Sequence, residues 1–275
     1  MAGDQAAEPA AEVLDDLRRR AIAFAHEAGE LLLRRRAERP QASSKAVRRE
    51  LVTDADRAAE RVVVGGILAQ FPDHSVLAEE GVLTAQGQRS SASDWNWIVD
   101  PIDGTTNYVH GLPHFAVAIG LTWRSIPVLG VVHAPALGET YSAARGCGAT
   151  CNGTPIRVSR TSDLRDALLA TGFAYLRDQE GAVDNLERLR RLMPKIRDIR
   201  RYGSAELDLC LVARGAYDAY WEFGLAPYDV AAGAVIVREA GGVVTDIAGG
   251  DDWLFGGQVL ASNGALHEDV RQHLP

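Results

Sequence analysis

From Glu12 onward, apolar residues recur three and four positions apart: Leu14, Leu17, Ala21, Phe24, Ala28 and Leu31. That spacing places them on one face of a helix, with Arg18, Arg19, Arg34 and Arg35 on a solvated opposite face and Pro40 past its end. The Ala-, Pro- and acid-rich residues 1–11 read as a frayed tail. A second helix begins at Thr53, a good N-cap, with Asp54 and Asp56 suiting the first turn. Its apolar face carries Val62, Val63, Ile67 and Leu68. "FPDH" closes it, and "SVLAEEG" reads as a short strand ending in acids.

The period then changes. "WNWIVD", "HFAVAIGLTW", "IPVLGVVHAP" and "ETYSAARG" are apolar or alternating runs, joined by the hairpin connections "RSIP" and "APALGE". A helix is predicted around 180–193, another opened by Ser204 with Leu207, Leu211 and Val212 on its core side, and then a strand at "YDAYWEF". "APYDVAAGAVIVREAGG" reads as one helix, with Pro227 near its start and glycines at its end. "GVVTD" and "QVLASN" are late strands. Interleaved helices and strands with central hairpins give an α+β class with layered sheets. There is no internal repeat and no low-complexity linker. The organisation expected is one domain over 12–275, with residues 12–150 as a metal-binding part and 151–275 completing the site.

Composition narrows the function. The chain has 275 residues, 47% hydrophobic and 24% charged, with a formal net charge of −8. An acidic protein lacks the basic footprint of general nucleic-acid binding or of an anionic membrane surface. No apolar run approaches the ~18 residues of a membrane span. The first residues lack the basic and apolar regions of a signal peptide, so the cytoplasm is the expected compartment. Cys147, Cys151 and Cys210 are odd in number and read as ordinary reduced thiols, since no Cys/His pair elsewhere could complete a zinc site.

The chemistry lies in acids at the ends of apolar elements: Glu79-Glu80 after "SVLA", Asp100 and Asp103 in "WIVDPIDGTT", Asp229 at a helix start, and more weakly Asp56. Taken singly, Asp229 could be a helix-start charge, Glu79-Glu80 a solvated loop, and Asp56 support for its own helix. The Asp100/Asp103 pair resists such a reading. Pro101 fixes its own φ and biases its predecessor toward extended structure, so the chain can leave the strand, turn, and present both carboxylates on one side. Gly104 permits close approach, and Thr105 and Thr106 offer hydroxyls and N–H groups suited to phosphate. Glu79, Asp100, Asp103 and Asp229 carry about −4 and a phosphomonoester adds roughly −2 near neutral pH, so counter-ions are required. An all-oxygen ligand set selects hard Mg²⁺, or Mn²⁺, over zinc.

In order along the chain, "ELVTDADRAAE" (50–60), "LAEEG" (77–81), "DPIDGTTNYVHG" (100–111), "GSAELDLCLVARG" (203–215) and "YWEFGLAPYDVAAG" (220–233) resemble the inositol monophosphatase family over about residues 12–265. The resemblance implies a layered αβαβα sandwich, a homodimer, Li⁺ sensitivity and two or three Mg²⁺ per site. It implies that Glu79, Asp100 and the Ile102 carbonyl hold a first ion, and that Asp100, Asp103 and Asp229 hold a second. A third, looser ion would share Glu79. Thr105, hydrogen-bonded to Asp56, would orient the attacking water, with Glu80 assisting. The Gly104 and Thr105 N–H groups would receive phosphate. Glu222, with Gly203, Ser204 and Ala205, would line the alcohol side, and Asp103 would touch it. Lys45 would lie near the metals. Tyr228 stands where many members have Trp, Gly111 replaces a larger residue, and Pro227 adjoins the second metal site; these bear on substrate preference.

The substrate implied is inositol 1-phosphate or a similar polyol or amino-alcohol phosphate. Histidinol phosphate stays open through Glu206 and Asp208, Glu206 being equally readable as helix surface. Fructose 1,6-bisphosphate and a 3′-phosphoadenosine nucleotide are the other candidates. A separate class of reading is a non-catalytic, RNA-polymerase-associated interaction protein. A D-x-D phosphoaspartyl enzyme built on "DADRA" carries little weight, because that segment opens a helix.

Overall fold

The computed structural model describes residues 8–37, 51–83, 93–175 and 185–275, together with the backbone of 42–44. Lys45, Pro40, residues 1–7 of the expected tail and residues 180–184 of the expected helix lie outside the described residues.

The first half runs α1 (Ala11–Ala37), β1 (Ala42–Ser44), β2 (Leu51–Thr53), α2 (Asp54–Gln70), β3 (Ser75–Ala78), β4 (Trp95–Asp103) and α3 (Thr105–Val109). It continues through β5 (Ala116–Trp123), β6 (Ile126–Ala134), β7 (Glu139–Ala144), β8 (Gly148–Cys151) and β9 (Thr154–Pro155). The second half holds β10 (Leu168–Thr171), α4 (Asn185–Leu192), β11 (Asp198–Arg200), α5 (Ala205–Ala213) and β12 (Ala219–Phe223). It ends with α6 (Ala231–Glu239), β13 (Val243–Thr245), β14 (Gln258–Ser262) and α7 (His267–Arg271). β3 to β9 form a seven-stranded sheet in sequential order, and the second sheet has the order β11-β10-β12-β14-β13.

Strand alternation sorts side chains between layers. On β4, Trp97 and Val99 join Leu17, Phe24, Val63 and Ile67 of α1 and α2 in one core. Ile98 faces the other way, into a core shared with Leu209 of α5, Val235 of α6 and Tyr220 and Val259 of the second sheet. The far face of that sheet packs Leu169, Trp221 and Leu260 against Leu192 of α4, Leu266 at the start of α7 and Val270 within it. The layers are therefore helices, sheet, helices, sheet, helices: the α+β sandwich expected.

Local rules account for the boundaries. Thr53 caps α2, its hydroxyl accepting from the Ala55 and Asp56 N–H groups, while the Asp56 carboxylate accepts from the Thr53 N–H at 2.7 Å. Two expectations need correction. β4 does not stop at Asp100 but pairs with β5 through to Asp103. The segment read as one helix from Pro227 is split into a 3₁₀ turn, Pro227–Asp229, followed by α6.

Close approach of α6 to the first sheet rests on two glycines. Gly120 and Gly130 face each other across β5 and β6. A Cβ at Gly130 would lie 2.1 Å from the Ala232 carbonyl oxygen, and one at Gly120 2.8 Å from the Ala231 Cβ. The backbone at the start of α6 thus rests directly on the strands. No helix among the described residues is long and apolar enough to cross a membrane.

Candidate active site

β4 supplies two of the acids through an irregularity. Asp100 pairs with Ala118 and Asp103 with Ala116, so three steps along β4 match two along β5. Residues three apart in a regular strand face opposite sides. Pro101 has no N–H for the ladder, and the extra residue of the resulting bulge returns Asp103 to the side of Asp100. Gly104 follows at φ +89°, where a Cβ would sit 2.9 Å from the His114 carbonyl oxygen; only glycine makes this turn into α3.

Glu79, Asp100, Ile102, Asp103, Gly104, Thr105, Gly203, Ala205, Glu222 and Asp229 all line one cavity of about 310 Å³. The remaining expected residues stand directly behind it. Asp56 is fully buried; its Oδ1 is 3.0 Å from the Thr105 hydroxyl, which is also 3.0 Å from the Ile102 carbonyl oxygen. The charge of Glu80 reaches Asp56 and raises its pKa, after burial, which is the larger cause. Ser204 neither lines the cavity nor caps its own helix: its hydroxyl donates to Asp103 Oδ2 at 2.5 Å. Asp103 also accepts from the Ala205 N–H at 3.0 Å and the Glu206 N–H at 2.8 Å, so it holds the N-terminus of α5.

The electrostatics are those of crowded, buried acids. Burial first, then the charges of Glu79, Asp103 and Asp229, push the Asp100 carboxyl well above the usual range. Burial also raises Asp229, helped by Glu79 and opposed by the Ala226 N–H at 2.6 Å. Asp103 is pushed up to about 6 by burial, against the Ser204 and α5 hydrogen bonds. Glu222 rises to about 7 by burial, drawn back by the Tyr220 hydroxyl and the Arg201 charge.

Among the described residues, no three His, Cys, Asp or Glu side chains are already gathered into a metal cage. The acids are instead engaged in hydrogen bonds: Asp103 accepts from α5, Asp229 from its own turn, and Asp100 Oδ1 from the Ile102 N–H at 2.9 Å. The donor chemistry nevertheless fits a hard divalent cation. Four carboxyls share one cavity, where the charges of Glu79 and Asp103 raise both Asp100 and Asp229, and the one cation among its described lining residues, Arg201, acts on Glu222.

Several residues of the site escaped the sequence reading. Glu60, fully buried on α2, accepts from the Glu80 N–H at 2.7 Å and the Val82 N–H at 2.5 Å, fixing the loop that carries Glu79. Its signal was available: it sits four residues after Asp56 and three before Val63, an acid on an apolar stripe. Arg201 lines the same cavity, and its Nη1 would be 2.1 Å from a Cβ at Gly203, which itself has φ +82°. Phe173, Ala174 and Tyr175 form a further wall, next to Tyr228. Glu206 and Asp208 do not line the cavity and are not helix surface, being 0% and 1% exposed. α5 lies between the two sheets and has almost no wet face. The three cysteines are free thiols, as expected.

Comparison with known proteins agrees with this geometry. The family model described as "Inositol monophosphatase family" matches residues 13–275. "Nus factor SuhB" of Pseudomonas aeruginosa is 41% identical over 263 residues, covering 93% of this chain and 96% of that protein. "Inositol-1-monophosphatase" of a Synechocystis strain is 44% identical over 227 residues, covering 82% and 77%. A crystal structure of an "IMPase/NADP phosphatase complexed with Mg2+ and phosphate" superposes with a TM-score of 0.83 at 25% identity, covering 95% of this chain and 96% of that one. The chain belongs to the inositol monophosphatase family of phosphoric monoester hydrolases.

Proposed function

We propose that the protein hydrolyses a small polyol phosphate, inositol 1-phosphate or a close analogue, with two or three Mg²⁺ ions. One observation carries the reading: acids from three separate segments, Glu79, Asp100 with Asp103, and Asp229, meet in a single cavity whose other wall holds Glu222. Glu79, Asp100 and the Ile102 carbonyl would hold the first ion; Asp100, Asp103 and Asp229 would hold the second. When bound, the ions neutralise the phosphate and acidify the attacking water. That a related phosphatase was crystallised with Mg²⁺ and phosphate supports the assignment.

The chain's own groups set the geometry. Asp56 Oδ2 is occupied by the Thr53 N–H and hydroxyl, which leaves Oδ1 to fix the rotamer of Thr105. Thr105, with Glu80 behind it, orients the water for in-line attack with no covalent intermediate. The Gly104 and Thr105 N–H groups take the phosphate oxygens. Glu222, Gly203 and Ala205 face the alcohol, and Ser204 acts through Asp103. With Glu206 and Asp208 buried away from the cavity, the two acids that kept histidinol phosphate open are withdrawn from the substrate, which favours a neutral polyol.

Phosphate release from inositol 1-phosphate, histidinol phosphate, fructose 1,6-bisphosphate and a 3′-phosphoadenosine nucleotide, with and without Mg²⁺, tests this. The polyol ester is expected to lead, and Asp100→Asn to abolish turnover. A hundredfold preference for histidinol phosphate, or an Asp100→Asn enzyme above a tenth of wild type, contradicts the assignment. The Nus factor name of the Pseudomonas relative favours a second reading, an RNA-polymerase-associated interaction protein. A folded protein that releases phosphate from none of these esters selects that reading instead.

A further inference from the structure

We infer that Glu206 is a positioning residue that sets the spacing between Asp103 and Asp229, the two acids brought to one ion from opposite ends of the fold; the inference rests on the metal-dependent reading above. Glu206 is wholly buried and does not line the cavity, so it is not itself a ligand. Its main chain holds Asp103, and its side chain holds the start of the helix that follows Asp229. Its N–H donates to Asp103 Oδ2 at 2.8 Å. Its carboxylate crosses to α6, Oε1 accepting from the Ala232 N–H at 3.1 Å and Oε2 from the Gly233 N–H.

The far end of the relay is short and stiff. Asp229 closes a 3₁₀ turn directly before α6, its Oδ2 accepting from the Ala226 N–H at 2.6 Å and its N–H donating to the Ala226 carbonyl at 3.1 Å. Moving the α6 N-terminus therefore moves Asp229. The relay also needs a cleared space: a Cβ at Gly233 would lie 2.6 Å from Glu206 Oε2.

Apolar contact alone would hold α5 to α6, and Leu209 already packs on Gly233. What the carboxylate adds is direction. Two acceptors on two successive N–H groups fix both the translation and the rotation of the helix end, and they satisfy donors that a helix N-terminus leaves orphaned. Burying an acid with no cationic partner is costly, and the two N–H bonds and the helix dipole offset the cost. A leucine at 206 would pack without leaving that demand to be met, so the acid's presence points to the geometry it enforces. Either protonation state of the carboxyl accepts both N–H groups; a glutamine accepts only one, because its amide nitrogen opposes the other.

The test is Mn²⁺ uptake by the purified metal-free protein, followed by electron paramagnetic resonance, with Asp229→Asn marking which binding step belongs to the Asp103–Asp229 ion. Glu206→Gln is expected to weaken that step about tenfold and Glu206→Leu about a hundredfold, as losing one and then both acceptors would. The other step should stay within about twofold, since the bonds of Glu206 run to Asp103 and to the start of α6. Should Glu206→Leu fail to fold, Glu206→Gln decides alone. Equal weakening of both steps, or a lowered melting temperature with both steps intact, reduces Glu206 to packing and overturns the inference. A wild-type protein that takes up no Mn²⁺ overturns the metal-dependent reading itself, and the relay with it.

Discussion

Replacing Gly130 by alanine isolates the contact that brings Asp229 to the sheet. The new Cβ would meet the Ala232 carbonyl oxygen at 2.1 Å, its carbonyl carbon at 2.8 Å and its Cα at 2.9 Å. All three are backbone atoms, so no rotamer change relieves the clash, and α6 must lift by about 1 Å to restore ordinary contact. Overpacking of this kind costs about 3 kcal/mol at its upper end. Alanine recovers roughly 0.5–1 kcal/mol over glycine in a strand. The net loss of about 2 kcal/mol corresponds to a fall in Tm of about 3–4 °C at this chain length. A displacement of that size at a reacting centre can cost about a hundredfold in rate. Gly120→Ala is the matched control: its nearest contact is the Ala231 side chain at 2.8 Å, with backbone no closer than 3.3 Å, so its effect should be smaller. Differential scanning fluorimetry and phosphate release from inositol 1-phosphate measure both. A Gly130→Ala protein with wild-type Tm and turnover would show that α6 does not rest on β6 as described.

Glu60→Gln leaves one of the Glu80 and Val82 N–H groups without an acceptor, costing about 1–3 kcal/mol. Because the loosened loop carries Glu79, the Mg²⁺ concentration for half-maximal rate should rise about tenfold more than Tm loss alone explains; an unchanged Mg²⁺ requirement rules this out. The metal-free protein should lose stability as pH rises. Glu222 has a folded pKa of about 7 against 4.5 for the free side chain, so the folded state holds a proton that the unfolded chain releases between those values. The stabilisation is present below pH 4.5 and is lost as pH passes 7, with a ceiling of about 3 kcal/mol. Glu222→Gln should flatten that slope in EDTA-treated protein, and a wild-type Tm that climbs from pH 5.5 to 7.5 would refute the sign. Under the proposed function, Glu222→Gln should also change the order of preferred substrates while leaving Mn²⁺ affinity intact; loss of metal affinity would show that Glu222 is misplaced.

The sequence disclosed what is local. Thr53 and Asp56 are three residues apart and cap their helix as the pattern says, and the strand and hairpin order from Trp95 to Ala144 follows from alternation and turn residues. It also disclosed which acids to watch, because carboxylates at the ends of apolar runs are conspicuous. What it hid depends on elements that meet only after docking. Glu206 looks like an exposed helical acid until α5 is enclosed by both sheets, and Gly130 looks like a weak strand residue until α6 arrives above it. The β4 bulge is intermediate: Pro101 announces a break in the ladder, but that the break realigns Asp103 with Asp100 is visible only against the pairing of Ala116 and Ala118.

The bonds from Asp103 to Ser204, Ala205 and Glu206 join the first sheet to a helix more than a hundred residues later. Three of the four expected metal acids therefore leave the ribosome well before the segment that steadies one of them, and Asp229 emerges later still. A nascent chain stopped short of α6 holds most of the proposed ligands but no finished site. Catalytic competence in this protein is a late event of biosynthesis, and the first turnover marks the moment the two halves have closed on each other.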